Sequence, residues 1–157
     1  MSQTAIVAEP TTQDVVITHD FNAPRELVFR AYTEPELVAR WWGPRYLTND
    51  VEKHEARAGG SWRIISRAPD GTAHGFRGVY HSVEADRIVR TFEYEGAPGH
   101  VSLEWVEFED LGGGRTRSIA RAVFQSLADR DAMLASGMES GVREGFERLE
   151  ELLAELS

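Results

Sequence analysis

Short runs of alternating apolar and polar residues fill the chain from about residue 48 to residue 124. Turn-forming groups such as Pro69-Asp70-Gly71 and Gly112-Gly113-Gly114 separate these runs, a pattern typical of strands joined by hairpins. No helical pattern interrupts them, so we predict an antiparallel meander. The predicted strands cover residues 62–67, 73–83, 88–95, 101–110 and 116–124.

One of these strands has a mixed pattern. Leu103 and Trp105 share one face of the 101–110 strand, while Val106 and Phe108 share the other. A β-bulge would explain apolar residues on both faces, and so would burial of both faces. The pattern favours neither explanation.

The N-terminal part of the chain changes pattern twice. Residues 1–13 show no periodicity, and we predict a flexible tail there. Alternation over residues 14–21 predicts a first strand. Two short helices are expected next, over residues 23–32 and 34–42, because a proline lies in the first turn of each segment.

The C-terminal residues 126–157 predict one long amphipathic helix, with Ser126 suited to cap its N-terminus. The residues expected to face inward are Met138, Val142, Phe146, Leu149 and Leu153. Gly137, Gly141 and Gly145 interrupt the helical pattern. They indicate a kink at Gly137, a close approach of another backbone segment, or space left for something else.

The order of these elements predicts an α+β fold. A first strand, two short helices and a run of strands precede the long helix, which can bury its apolar face across a curved antiparallel sheet. The sequence shows no internal repeat and no linker. We therefore expect a single domain over residues 14–155, after the N-terminal tail.

Composition narrows the function classes. The chain has 157 residues, no cysteine and a formal net charge of -9. The lack of cysteine excludes disulfides, thiolate metal sites and a cysteine nucleophile. The negative charge argues against nucleic-acid binding and against docking on anionic lipid. Since no long apolar segment and no signal-peptide pattern is present, we expect a cytoplasmic location and no membrane partner.

Candidate catalytic groups are few. The 5 histidines lack metal-ligand spacing, and the sequence contains neither a phosphate-binding loop nor a serine-hydrolase motif. His74 shares a face with Phe76 and Tyr80, which makes it the better candidate for acid–base work, although a solvent-facing histidine at a hairpin end is the simpler interpretation. Strand carboxylates such as Glu104 are expected mostly on the solvated face, opposite arginines such as Arg90. We predict no catalytic residue, no cofactor and no metal.

Four stretches of the chain together resemble one known family. They are residues 21–29 with Trp41-Trp42-Gly43-Pro44, the strand start 58–63 with Ala58 where proline is usual, the hairpin from Gly78 to Val89, and residues 126–153. On these motifs the chain, from about Asp14 to Leu153, resembles the activator-of-Hsp90-ATPase-homologue-like branch of the START-like (SRPBCC) superfamily. The last stretch resembles the C-terminal helix of a bacterial subgroup.

That resemblance implies a helix-grip fold, as in START and Bet v 1-like proteins, in which the long helix closes a curved sheet over an internal cavity. Relatives include carriers of lipids and hydrophobic small molecules, aromatase/cyclases, toxin-sequestering resistance proteins and the C-terminal domain of Hsp90 co-chaperones. A fold shared by so many activities implies no single function.

The aromatic residues favour small-molecule binding. On the strands they occupy positions that suit one concave face, beside the small residues Ser118, Ala120 and Ala122. We predict a ligand site formed by Trp42, Trp62, Phe76, Tyr80, Phe92, Tyr94, Met138, Val142 and Phe146. Its partner is a hydrophobic or aromatic small molecule. A core packed solid with these rings is the structural alternative.

We therefore expect a binding protein, with stress or resistance as its setting. Two alternatives stay open. An adaptor resembling an Hsp90 co-chaperone would dock a chaperone partner through its surface, and nothing in the sequence supports that partner. A cofactor-free enzyme of the cyclase or hydrolase type would need a catalytic set that the sequence lacks. Homodimer formation is also left open.

Overall fold

The computed structural model describes residues 3–157 and contains eight strands and four helices. The strands are β1 (Thr4–Val7), β2 (Asp14–Phe21), β3 (Thr48–His54), β4 (Ser61–Arg67), β5 (Ala73–Glu84), β6 (Arg87–Tyr94), β7 (Val101–Gly112) and β8 (Arg115–Val123). The helices are α1 (Arg25–Thr33), α2 (Pro35–Trp41), α3 (Leu127–Ala135) and α4 (Met138–Leu156).

All the strands form one antiparallel sheet in the order β1-β2-β8-β7-β6-β5-β4-β3. The strands β3 to β8 are the meander that the turn signals predict. β2 pairs with β8, from Asp14 opposite Val123 to Phe21 opposite Thr116, and α1 and α2 lie in the connection from β2 to β3 at the far edge. The predicted α+β helix-grip fold is confirmed.

The prediction of a flexible tail over residues 1–13 is wrong for Thr4–Val7, which forms the edge strand β1. Thr4 lies opposite His19, and its Oγ1 is 2.7 Å from Nδ1 of His19. This strand covers the edge of β2, whose backbone groups would otherwise be unpaired. Four residues are too few to show a periodic pattern in the sequence. Residues 1 and 2 lie outside the described range.

Helix α4 packs its apolar side against the concave face of the sheet. Its buried apolar residues are Phe146, Leu149, Leu152 and Leu153. The Phe146 ring meets the Phe21 ring edge to face, with centroids 5.5 Å apart. Val142 packs against this core, while Met138 is only half-buried because it begins the helix.

The predicted single C-terminal helix is divided at Gly137, whose φ of +85° is left-handed backbone. This conformation ends α3 and lets α4 start in a new direction. Ser126 caps α3 as expected, accepting the N–H of Asp129 at 3.0 Å. A Cβ at Gly145 would lie in ordinary van der Waals contact, 3.4 Å from the backbone nitrogen of Gly43, so a side chain larger than that of alanine would meet the loop.

Strand β7 alternates regularly where the sequence pattern is mixed. Its pairing with β6 is continuous from Val101 to Glu107. Val106 and Phe108 are buried on the inner face, whereas Leu103 is 45% exposed on the outer face. The mixed pattern therefore comes from apolar residues on the outer face and not from a bulge.

Candidate functional site

Two spaces lie between the sheet and the helices. The larger, which we call the cleft, has a volume of about 500 Å³ and lies beside α3. The smaller, which we call the cavity, has a volume of about 130 Å³ and lies beside α2. Among residues 3–157 none lines both spaces.

The cleft has a mostly aromatic and aliphatic lining. Its apolar residues include Leu47, Phe76, Phe92, Tyr94, Phe124 and Met133. Strands β5 and β6 supply three of these rings because alternate residues of a strand point to the same face. Met133 comes from α3 on the opposite side, and Tyr46, which is 61% exposed, lies at the rim.

Two histidine pairs give the cleft polar groups. Nδ1 of His74 lies 2.8 Å from Oη of Tyr94, and Nδ1 of His100 lies 2.8 Å from Oδ1 of Asp129. The His74 candidate of the sequence analysis therefore lines the cleft beside a tyrosine hydroxyl. The side chain of His100 is 60% exposed, so its pair offers polar contacts at the rim and contributes little stability.

Trp42 forms the wall between the two spaces. It lines the cavity, and its ring centroid lies 4.9 Å from that of Phe76 and 6.5 Å from that of Phe92, both of which line the cleft. The Trp62 ring lies 6.3 Å from it on another side. Tilted and edge-to-face contacts of this kind add to the stability gained by burial.

Helix α4 holds the backbone that carries Trp42. Nη1 of Arg148 donates to the carbonyl oxygens of Trp42, Gly43 and Pro44, at 3.3, 3.1 and 3.2 Å. Gly43 has a φ of +79°, which favours glycine. The loop after α2 is therefore fixed to α4, and with it the position of the Trp42 ring.

Polar side chains of the cavity lining include His54, Tyr80, Arg90 and Glu104, which we call the interior polar cluster. Arg121 also borders the cavity and is paired with Asp14. Oη of Tyr80 lies 2.7 Å from Nε2 of His54. Nε of Arg90 donates to Oε1 of Glu104 at 2.7 Å, and its guanidinium lies 4.1 Å above the Trp62 ring. The apolar lining includes Ile17, Val38, Trp41, Ile88, Ala120 and Ala122.

Burial sets the protonation of this cluster. It lowers the pKa of His54 below its ordinary value, and the Arg90 charge lowers it further, so the imidazole is neutral near neutral pH. Burial raises the pKa of Tyr80 against the opposing effect of Arg90. Burial lowers the pKa of Arg90, but Glu104 and Tyr80 more than offset this and leave its pKa raised. The cluster therefore combines one positive and one negative charge.

The structure does not bring all the residues predicted for the ligand site together. Phe76, Phe92 and Tyr94 line the cleft, Trp42 and Tyr80 line the cavity, and Trp62 is buried next to Trp42 and Phe92. Met138, Val142 and Phe146 line neither space. The break at Gly137 explains this separation, because α3 lies over the cleft and α4 lies over the core. That these residues bind a ligand stays a prediction.

Three residues of the interior polar cluster were not expected at the site. The prediction that strand arginines and carboxylates lie mostly on the solvated face is wrong for Arg90 and Glu104, which line the cavity. Strand alternation could have indicated that both side chains point inward, since Arg90 shares a face with buried Ile88 and Glu104 shares one with buried Val106. Alternation does not indicate the direction of the His54 side chain, because the pairing of β3 shifts register shortly before this residue.

The site contains no obvious cation-binding set. Within residues 3–157, no three His, Asp or Glu side chains are grouped as a metal ion would require. The same part of the chain has no helix that is both long and apolar enough to cross a membrane. The site therefore consists of an apolar cleft with a polar rim and a small cavity that contains the Arg90–Glu104 ion pair.

Comparison with known proteins agrees with this architecture. The family described as "Activator of Hsp90 ATPase homolog 1-like protein" matches residues 22–154. Among curated proteins, none matches the chain.

Several solved bacterial structures match over almost the whole chain. The solution NMR structure of a protein from Arthrobacter aurescens is 27% identical, with a TM-score of 0.89 over 98% of this chain and 93% of that one. A crystal structure from Rhodobacter sphaeroides is 24% identical, with a TM-score of 0.88 over 98% and 99%. One from Mycobacterium smegmatis is 22% identical, with a TM-score of 0.86 over 96% of each chain. These likenesses show a shared fold.

Proposed function

The chain belongs to the Activator of Hsp90 ATPase homolog 1-like family, and from that premise we propose that it binds a hydrophobic or aromatic small molecule in the cleft. Folds of this type commonly bind hydrophobic ligands. The observation that carries the proposal is a cleft of about 500 Å³ with a mostly aromatic and aliphatic lining. Burial of apolar surface against such a lining would drive capture.

The volumes of the two spaces favour the cleft over the cavity as the proposed ligand site. Pockets that hold drug-sized molecules have volumes of roughly 300–1,000 Å³, and the cleft falls within this range at about 500 Å³. The cavity, at about 130 Å³, is close to the ~150 Å³ of an apolar cavity that binds benzene. A ligand larger than one ring therefore fits the cleft and not the cavity.

The lining also indicates the character of the ligand. Phe76 and Phe92 offer aromatic faces, and the Tyr94 hydroxyl with the His74 ring offers a polar contact at one side. The chain carries a net charge of -9, which disfavours the approach of anions. We infer that the preferred ligand is neutral or cationic, with at least one aromatic ring.

A fluorescent probe tests this proposal. N-Phenyl-1-naphthylamine is neutral, and its emission rises in an apolar site. The wild-type protein should bind it saturably and melt at a higher temperature in its presence, because a ligand selective for the folded state stabilises that state. Ala132→Phe should weaken binding about tenfold or more, since a ring on α3 would occupy the cleft.

Ala135→Phe is the matched control. Ala135 is an exposed residue of the same helix and does not line the cleft, so this variant should bind the probe like the wild type. Equal binding by both variants, or no saturable binding by the wild type, would overturn the proposal.

The two alternatives predict different results. An adaptor would leave the probe unbound and would form a complex of higher mass with a protein partner. A cofactor-free enzyme would convert a bound aromatic compound to product, and the His74–Tyr94 pair would be the first place to seek the groups responsible. A cytoplasmic location stays a prediction from the sequence.

A further inference from the structure

The interior polar cluster lies where a stable core is ordinarily apolar. A buried ion pair is weak evidence for stability, because the loss of hydration offsets the attraction between its charges. The side chains of Arg90 and Glu104 keep 20% and 26% of their surface accessible, and both line the cavity. Their polar atoms are therefore available to a molecule inside it.

The cluster leaves hydrogen-bonding capacity unused. Among the described contacts, Arg90 uses Nε toward Glu104 and also interacts with Tyr80, which leaves further guanidinium N–H groups. Oε2 of Glu104 accepts no described hydrogen bond. A group that accepts from Arg90 and donates to Glu104 would satisfy both. A hydroxyl group does this.

Charge and volume restrict the occupant further. Arg90 and Glu104 neutralise each other, and Arg121, which also borders the cavity, is paired with Asp14. An anion would therefore add an uncompensated charge to a largely apolar space, which is unfavourable. The volume of about 130 Å³ is close to the ~150 Å³ of an apolar cavity that holds a single benzene ring. The Ile17, Val38 and Ile88 side chains would contact such a ring.

We propose that the cavity is a second binding site, which takes a single neutral aromatic ring bearing a hydroxyl group, as in phenol. The ring lies against the apolar wall, and the hydroxyl lies between Arg90 and Glu104. This inference does not rest on the proposed function, since no described residue lines both the cavity and the cleft.

The proposed second site is tested by comparing how three small probes bind to the wild-type protein. Binding of phenol, benzene and benzoate is measured by calorimetry and by the rise in melting temperature. Phenol should bind about tenfold more tightly than benzene, and benzoate should bind most weakly. Ala132→Phe should leave this order unchanged, because it fills the cleft only, so a failed cleft proposal would not remove this result.

In the Glu104→Gln variant, the order of affinity for phenol and benzoate should be reversed. It keeps the shape of the side chain and leaves the Arg90 charge uncompensated, so benzoate should now bind more tightly than phenol. Glu107→Gln is the matched control, because Glu107 lies on the exposed face of the same strand, and it should keep the wild-type order.

Three results would overturn the proposal. The first is equal binding of phenol and benzene by the wild type, and the second is binding of neither, as a cavity filled only by water would give. The third is a folded Glu104→Gln variant that keeps phenol above benzoate. The relative affinities of phenol, benzene and benzoate for the wild type test the proposal even if the Glu104→Gln variant does not fold.

Discussion

At the scale of single residues, His54 couples the interior polar cluster to pH. Burial and the Arg90 charge hold its pKa below the ordinary value of 6.5, and the Thr33 carbonyl and Glu36 only partly offset this. The unfolded chain therefore binds a proton at mildly acidic pH that the folded chain does not bind. Stability contributed by neutral His54 is present above the ordinary pKa and is lost as pH falls below it.

We expect the free energy of unfolding to fall from about pH 7 to about pH 5, by at most ~1.4 kcal/mol per pH unit for this one group. His54→Gln should flatten that dependence, since glutamine does not titrate yet can accept a hydrogen bond from Tyr80. Urea denaturation over this pH range measures it. His81→Gln serves as control, because His81 is exposed and should leave the slope unchanged. Equal slopes in the wild type and His54→Gln would contradict the assignment.

At the scale of elements, α4 is shaped by the loop on which it packs. A Cβ at Gly145 would lie 3.4 Å from backbone atoms of Trp41 and Gly43. A Cβ at Gly141 would meet only Cδ of Pro44, at 3.6 Å. The two glycines occupy the same helix, but a side chain at Gly145 would face loop backbone, whereas one at Gly141 would face only one proline atom.

Substitution of these glycines should therefore have opposite effects. Gly141→Ala should stabilise the fold by roughly 0.5–1 kcal/mol, because glycine is unfavourable in a helix interior. Gly145→Val should destabilise it, since the branched side chain would push against the loop after α2. Guanidinium denaturation of both variants compares them directly. If Gly145→Val were as stable as Gly141→Ala, α4 would not approach the loop as described.

Some elements were predictable from the sequence and others were not. Turn residues such as Pro69-Asp70-Gly71 mark the hairpins of the meander, because only a few residue types suit tight turns. Gly137 was ambiguous, since a glycine can be tolerated inside a helix or can end it. β1 could not be recognised because a strand of four residues is too short to show alternation. The register shift in β3 removed the alternation that would have placed His54.

At the scale of the whole molecule, α4 closes the concave face of the sheet. The apolar residues it contributes are Phe146, Leu149, Leu152 and Leu153, all buried in the core with residues of the sheet and of α1 and α2. A chain that ends at Gln125 would expose this surface to water. It should therefore lose cooperative unfolding, as measured by circular dichroism during a thermal scan. A sharp unfolding transition in that truncated chain would contradict the helix-grip arrangement.

The division of the interior could not be predicted from the sequence. Strand alternation indicates that Phe76, Tyr80 and Phe92 face inward, but it does not indicate which space each one lines. That depends on the Trp42 ring, whose position is fixed by the hydrogen bonds from Arg148 to the loop carbonyls. A contact between residues so far apart in the chain leaves no local pattern.

Methyl NMR spectra during a titration with N-phenyl-1-naphthylamine test the central claim, that the cleft binds an apolar ligand, most directly. We predict saturable shifts at the Ala97, Ala132 and Met133 methyls, which line the cleft, with the Ile88 methyls of the cavity unchanged. No saturable shift at the cleft methyls, or shifts confined to exposed outer-face residues such as Val79, would contradict it.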